Sequence, residues 1–444
     1  MKSTINISTS DILKLAFPAI IAGIAEPVIS ITDIAIIGNM ENNSVDALAA
    51  VGLAGAFLST VIWTLAQTKT SISSIVSKAL GNKSLDKIND LIPQVIWINI
   101  LMGLIIYAIT APLASFIFSL YSAEGEVLQL TASYYQIRAL GFPLTLSAFA
   151  IFGIFRGLQN THWAMIASIS GALVNVILDY LLVYGIDGWF ESMGLTGAAI
   201  ASLIAQSTML LIALFYFLKN TPFSLRIQQW KPHFLLSEHI KLTANFFLRT
   251  LAINVCIYLS YRYANSYGVE EAATHAILMN VWLFFSFFID GFANAGNALG
   301  GKLLGAGDRD SLKYLATKTN TFGIGVSIVL ALICAIFYNY IGGWFTDDAR
   351  VVTLFVETFF IILLMQPINA VAFVYDGIFK GWGEAPYLRN LLMIVTLVLF
   401  IPTLLLFDFL GFELRAIWIA FFAWMIGRAV LLHLKFKKRL DRMA

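Results

Sequence analysis

Charge is what this chain has least of. Asp, Glu, Lys and Arg make up 12% of its 444 residues, about half of the ~25% usual in soluble proteins. So few charges cannot coat a water-exposed globule of this size, and a soluble fold is excluded. Cysteine is nearly absent. Cys256 and Cys334 both lie in apolar segments, show neither disulfide nor metal spacing, and read as small packing residues. There is no Gly-x-x-x-x-Gly-Lys-Ser/Thr loop, which excludes a P-loop ATP-driven pump. His-Glu-x-x-His and Cys-x-x-Cys are also missing, and no soluble catalytic constellation is visible. No enzyme activity, cofactor or nucleic-acid partner is expected. Met1–Ser10 carries a single charge, Lys2, and resembles neither a cleaved signal nor a transit peptide. The first apolar segment is therefore expected to be retained.

Apolar residues are present in quantity: 59% of the chain, with a mean hydropathy of +0.81. The apolar runs reach the ~20 residues that a membrane-spanning helix needs. They are too long for barrel strands, which alternate over roughly 10 residues. Twelve spans are predicted, near 11–38, 46–77, 90–118, 127–155, 162–186, 195–218, 236–264, 270–300, 312–341, 350–379, 386–407 and 413–434. Basic residues gather in every second connection: Lys78, Lys83 and Lys87; Arg156; Lys219, Arg226, Lys231 and Lys241; Lys302, Arg309, Lys313 and Lys318; Lys380 and Arg389; and the C-terminal Lys435–Arg442 stretch. The alternate connections are acidic or neutral. The positive-inside rule places both termini in the cytoplasm, and only an even number of spans is consistent with that.

The connection at 220–237 is the longest polar stretch and divides the chain into an N-terminal lobe, 1–219, and a C-terminal lobe, 238–444. A shift of 224 residues superimposes the two. Lys78-Ala-Leu-Gly81 falls on Lys302-Leu-Leu-Gly305, Pro143 on Pro367, Phe149 on Phe373, Gly153 on Gly377, and Phe155-Arg-Gly157 on Phe379-Lys-Gly381. Each half has an even number of spans, so the repeat is parallel. Such an arrangement suggests a transporter with a central cavity between its halves. The glycine-rich Gly291–Gly301 stretch runs out of an apolar helix rather than a strand, and reads as close helix packing.

Polar groups inside such spans are the candidates for function. A carboxylate at the centre of a spanning helix costs about 2.5–3.5 kcal/mol even on lenient scales, so a partner, ion or water must offset it. Asn175 and Asp179 lie four apart in an apolar segment, on one helix face. An amide oxygen and a carboxylate there form a pair of hard oxygen ligands or a proton acceptor. Asp33 is a lone acid in the first span and the expected other half of an ion-coupling site. Glu26, two turns before Asp33, is a candidate second acid lining the cavity, a bystander facing a water-filled vestibule, or a partner of a base such as Arg138. Pro18 and Pro27 remove helix hydrogen bonds, and a first helix that bends there could carry Asp33 between two environments. Asp290 and Asp376 are predicted as buried acids of the second half that contact a cationic substrate, supply a second proton site, or pair with buried bases such as Arg249 or Arg262. His275 reads as a satisfied interhelical contact. Tyr134, Tyr135, Met279, Trp282 and Phe284 are candidate substrate contacts through cation–π or adaptable packing.

Phe155-Arg-Gly-Leu-Gln-Asn-Thr161, Asn175-Val-Ile-Leu-Asp179 and Gly197-Ala-Ala-Ile-Ala-Ser202, in this order within two six-helix repeats, resemble the multidrug and toxic compound extrusion (MATE) family over nearly the whole chain. Asp33, Asp290-Gly-Phe-Ala and Tyr375-Asp-Gly-Ile-Phe-Lys-Gly381 resemble its DinF branch. The resemblance implies an all-α integral membrane protein: twelve transmembrane helices in two pseudo-symmetric lobes. It implies efflux of amphiphilic, mostly cationic compounds by exchange for H⁺ or Na⁺. The implied coupling site is Asp33, Asn175, Asp179, the Ala198 carbonyl and the Ser202 hydroxyl, where relatives often carry Thr. Asp33, Asn175 and Asp179 would be the ligands of Na⁺. A monomer in the inner membrane is expected. Two rivals remain: a flippase for lipid-linked precursors, which would favour a basic cavity, and an intramembrane enzyme. Glu26 and Asp33 are roughly 10 Å apart along a helix, too far for a shared-proton dyad.

Overall fold

A computed structural model of the chain describes residues 7–40, 44–186, 188–227 and 231–443, without the side chains of 26–28, 30, 31 and 44. Apart from one isolated bridge between Ile186 and Phe190, the regular structure described is helical. The helices are α1 (Thr9–Gly38), α2 (Ser44–Leu65), α3 (Gln67–Gly81), α4 (Leu91–Thr110), α5 (Ala114–Ser119), α6 (Gly125–Ala139), α7 (Gly141–Gly157), α8 (His162–Tyr184) and α9 (Gly194–Asn220), then α10 (Leu236–Tyr267), α11 (Val269–Ala306), α12 (Arg309–Ile336), α13 (Ala349–Gly381), α14 (Ala385–Val395), α15 (Ile401–Phe409) and α16 (Leu414–Asp441). A helix stands at each of the twelve predicted positions. Among the described residues, ten stretches are long and apolar enough to cross a membrane, or eleven when α6 and α7, bent by 43°, count as one. The 30-residue α1 stands where the first span was expected. Large apolar side chains point outward, Leu101, Leu104, Ile105 and Ile109 of α4 among them, which only a lipid solvent rewards.

The repeat is built into the helices. α6–α7 runs from Gly125 to Gly157 and α13 from Ala349 to Gly381, 224 residues on at both ends. The shared proline acts differently in the two copies. Near Pro143 the helix is bent and divided into α6 and α7, whereas α13 continues through Pro367. The shared glycines act alike. A side chain on Gly153 or Gly157 would strike the carbonyls of Lys69 and Ser73, and one on Gly377 or Gly381 those of Ala293 and Asn297. Adding 224 to 69 and 73 gives 293 and 297, so both copies use the same backbone-to-backbone approach.

Packing divides the chain into two units. One comprises Met1–Ile20, Ser77–Lys83 and Lys241–Ala444, and the other Ile21–Val76 and Ser84–Ile240. In the first unit the contact of the Lys78–Gly81 turn with its repeat image is reciprocal: Gly81 abuts the Lys302 carbonyl and Gly305 the Lys78 carbonyl. α11 and α13 form its central pair. In the second unit α8 packs along α9, and α4 along α7. There the hydroxyl-rich α3 is buried because its polar groups are satisfied. Ser71 Oγ pairs with His239 Nδ1 at 2.9 Å, and Asn99 donates to Thr68 Oγ1 at 3.1 Å. The 220–237 connection is tied down by Gln94, which donates to the Lys231 carbonyl (2.9 Å) and accepts from the His233 backbone N–H (2.9 Å).

Candidate functional site

α8 is an inverted amphipathic helix. Leu173, Ile177 and Tyr180 face outward, while Gly171, Asn175, Asp179 and Val183, each four residues apart, face in. The polar pair therefore lies inside the second unit. Asn175 Nδ2 donates to Asp179 Oδ2 at 2.8 Å and to Ser202 Oγ of α9 at 3.3 Å. With the amide nitrogen committed, the amide oxygen is left to accept. Asp33 on α1 is buried, and its carboxyl lies within side-chain hydrogen-bonding reach of Asp179. Three oxygens here, Asp33 Oδ1, Asn175 Oδ1 and Asp179 Oδ1, are buried without a donor among the described residues. Acceptors that converge without donors suit a proton or a hard cation, and two carboxylates in contact need one or the other between them. Ala198, one turn before Ser202, is buried with this group.

Arg138 of α6 belongs to the same site. Sequence reasoning considered it only as a partner for Glu26. Its guanidinium lies 5.9 Å from the centre of the Tyr134 ring. Tyr134 lies within electrostatic reach of Asp33 and Asp179, and Asp179 within reach of Arg138. Arg138 Nε is buried without an acceptor. Two acids and one base give the site a net charge of −1 when all are ionised.

Other candidates fall elsewhere. Glu26 and Pro27 have side chains outside the described residues. α1 continues as a single helix past Pro18. Tyr135 is fully buried in an aromatic cluster with Phe57 and Phe118, and its hydroxyl donates to Thr110 Oγ1 at 2.6 Å. Met279 and Trp282 are also buried, Trp282 against Phe421. All three are enclosed by neighbouring side chains, and the Trp282 indole N–H has no acceptor among the described residues. His275 makes the expected interhelical contact through one nitrogen only: Nε2 lies 3.0 Å from Ser260 Oγ of α10, while Nδ1 is buried without a hydrogen-bond partner among the described residues.

The acids of the second half need correcting. Asp290 is exposed on α11, not buried. Asp376 on α13 is buried and bound by bases. Arg249 of α10 forks onto it with contacts of 2.7, 2.8 and 3.2 Å, and Lys380 reaches it at 2.8 Å. Arg262 takes no part; its side chain is exposed. Lys380 stands in a basic connection by sequence, but its flexible stem reaches back one turn along α13 to Asp376. Arg428 of α16 adds a third base, 3.9 Å from Asp376. Acids outnumber bases at the first site, and bases outnumber acids here.

Comparison with known proteins gives a consistent result. The MatE family profile matches residues 18–181 and 246–410, one segment in each half. The chain is 28% identical to Protein DETOXIFICATION 42 of Arabidopsis thaliana over 65% of its own length and 55% of that protein's; it thus spans about half of this plant relative. It is 25% identical to DNA damage-inducible protein F of Escherichia coli K12 over 91% of this chain and 87% of the relative. A solved structure described as the outward-facing conformation of a multidrug resistance MATE family transporter of the MOP superfamily matches with a TM-score of 0.88 at 20% identity, covering 98% of this chain and 96% of that one. The MatE profile covers most of both repeats, and the chain belongs to the MatE family of multi-pass membrane transporters, the multidrug and toxic compound extrusion proteins.

Proposed function

We propose that this chain is a secondary active exporter that exchanges H⁺ or Na⁺ for amphiphilic organic compounds, cationic ones included, by alternating access. The observation that carries the reading is the trio of donor-less oxygens on Asp33, Asn175 and Asp179, with the Asn175 amide held by Asp179 and Ser202. An arriving Na⁺ meets all three, an arriving proton bridges the two carboxylates, and either cancels the net charge of −1 that Asp33, Asp179 and Arg138 leave. Departure of the ion leaves a buried charge that favours rearrangement. Coupling is reciprocal: a substrate that weakens ion binding is itself weakened by the ion. The Ala198 carbonyl is a further ligand on this reading. Asp33, Asn175 and Asp179 hold Na⁺ if the ion is a metal, and the two carboxylates share the proton if it is not.

The alternation of basic and acidic connections supports an inner-membrane protein with both termini cytoplasmic. The shared glycine contacts support a repeat of two six-helix halves, 1–219 and 238–444, joined by a cytoplasmic linker; a monomer is the proposed working unit. A second reading, flipping of a lipid-linked precursor, draws on the bases around Asp376. The test is efflux of a fluorescent cationic dye from proteoliposomes under a pH gradient alone, then a Na⁺ gradient alone. Efflux under one gradient, lost in Asp33→Asn, supports export and identifies the ion. Immobility of the dye under both gradients refutes it.

A further inference from the structure

The basic cluster of the first unit contains a group that its neighbours do not explain. Arg428 is 1% exposed. Its Nη1 meets only the Met425 sulfur, at 3.2 Å, and Nε and Nη2 have no acceptor among the described residues. Its Nη2 approaches Asp376 Oδ1 no closer than 3.9 Å, too far for a hydrogen bond. Asp376 does not need it, because Arg249 and Lys380 already bind both carboxylate oxygens. A buried guanidinium with unused donors destabilises a protein, and inside a membrane such a group marks function by default.

The surroundings define what it would bind. Trp424 and Phe373 flank the guanidinium, 4.6 and 5.4 Å from their ring centres. Such cation–π contacts hold the guanidinium without supplying an acceptor to Nε or Nη2. Arg249, Lys380 and Arg428 stand against Asp376 and Asp290, three positive charges to two negative, a net of +1. Asp290, exposed on α11, lies within electrostatic reach of Lys380 and Arg428. Lys380 has a side chain 24% exposed and connects the cluster to the surface of the unit. A guanidinium fork beside an ammonium matches a carboxylate or phosphate.

We propose that Arg428, with Lys380 at its rim, is a binding site for an oxyanion: the carboxylate or phosphate of an amphiphilic ligand. Resting on the export reading, this widens the substrate class to amphiphiles that carry a negative group, while the acid site of the other unit takes the coupling ion. The same chemistry could come from a lipid headgroup.

The experiment uses the full chain in phosphatidylcholine nanodiscs and follows its melting temperature with added benzoate, neutral benzamide, or chloride at equal ionic strength. Benzoate alone should raise the melting temperature of the wild type. In Arg428→Met the half-saturating benzoate concentration should rise about tenfold or more, the worth of one charge-assisted hydrogen bond. Lys380→Met should weaken it less, and it tests the site even if the first variant is poorly made. Without ligand, Arg428→Met should melt at or above the wild type; a merely structural arginine would give a loss. In discs containing phosphatidylglycerol, stabilisation of the wild type that leaves benzoate without effect assigns the site to a lipid headgroup. Wild type unmoved by either benzoate or phosphatidylglycerol, or variants that respond as the wild type does, would overturn the proposal. Proteoliposome efflux of rhodamine B and its ethyl ester separates the two readings: immobile dyes with an intact benzoate response remove export and leave the oxyanion site standing.

Discussion

Replacing Asp376 by Asn keeps the shape of the side chain and removes its charge. Arg249, 5% exposed, then has no counter-ion within its three contacts of 2.7–3.2 Å. Breaking one side of such a buried pair costs about 3–5 kcal/mol, because the remaining charge stays desolvated. Lys380 adds little, about 1 kcal/mol or less, since its side chain is 24% exposed and can turn to solvent. The reverse holds when both partners go: Asp376→Leu with Arg249→Met should lie within about 1 kcal/mol of the wild type or above it. Equilibrium unfolding in mixed micelles, followed by tryptophan fluorescence, measures all three variants. The pattern that supports a structural pair is a large loss in the single variant and its rescue in the double. A single variant within about 1 kcal/mol of the wild type would refute the reasoning and return Asp376 to the list of groups that meet substrate.

Three further outcomes are expected. Ser202→Ala, which removes a partner of Asn175 and a hydroxyl from the ion site, should weaken ion affinity about tenfold, the worth of one hydrogen bond to a charged group; Ser202→Thr should restore it in the same titration. Arg138→Gln removes a positive charge near Asp179 and should tighten cation binding about tenfold, as one opposite charge typically does; weaker binding in direct ion titration would contradict the assignment. Gly377→Val should not yield folded protein, because the Ala293 carbonyl occupies the space, whereas Gly325→Val, in open space on α12, should be recovered at wild-type level by size-exclusion chromatography.

The parts that were legible from sequence share a physical reason. Asp33, Asn175 and Asp179 stand out because polar groups are rare in lipid-length apolar runs, and the four-residue spacing fixes two of them on one face. The repeat was legible because Gly153 and Gly377 answer the same backbone clash. The second cluster was not. Lys380 looks like an interfacial base, since sequence cannot show its stem folding back, and Arg428 is seven residues from a basic tail that masks it. The pairing of Arg249 with Asp376 spans 127 residues, and no local pattern encodes it. Tyr135 and Trp282 have the composition of cavity aromatics and the burial of core ones. Only the fold separates the two.

On the proposed mechanism the Asp33–Asn175–Asp179 group couples the ion to transport. The most direct measurement compares uphill with downhill movement of one dye in proteoliposomes holding wild type or Asp179→Asn. The wild type should concentrate dye against its gradient when an ion gradient is imposed. The variant, unable to hold the ion, should only equilibrate dye down its own gradient. Uphill accumulation that persists in Asp179→Asn would contradict the account.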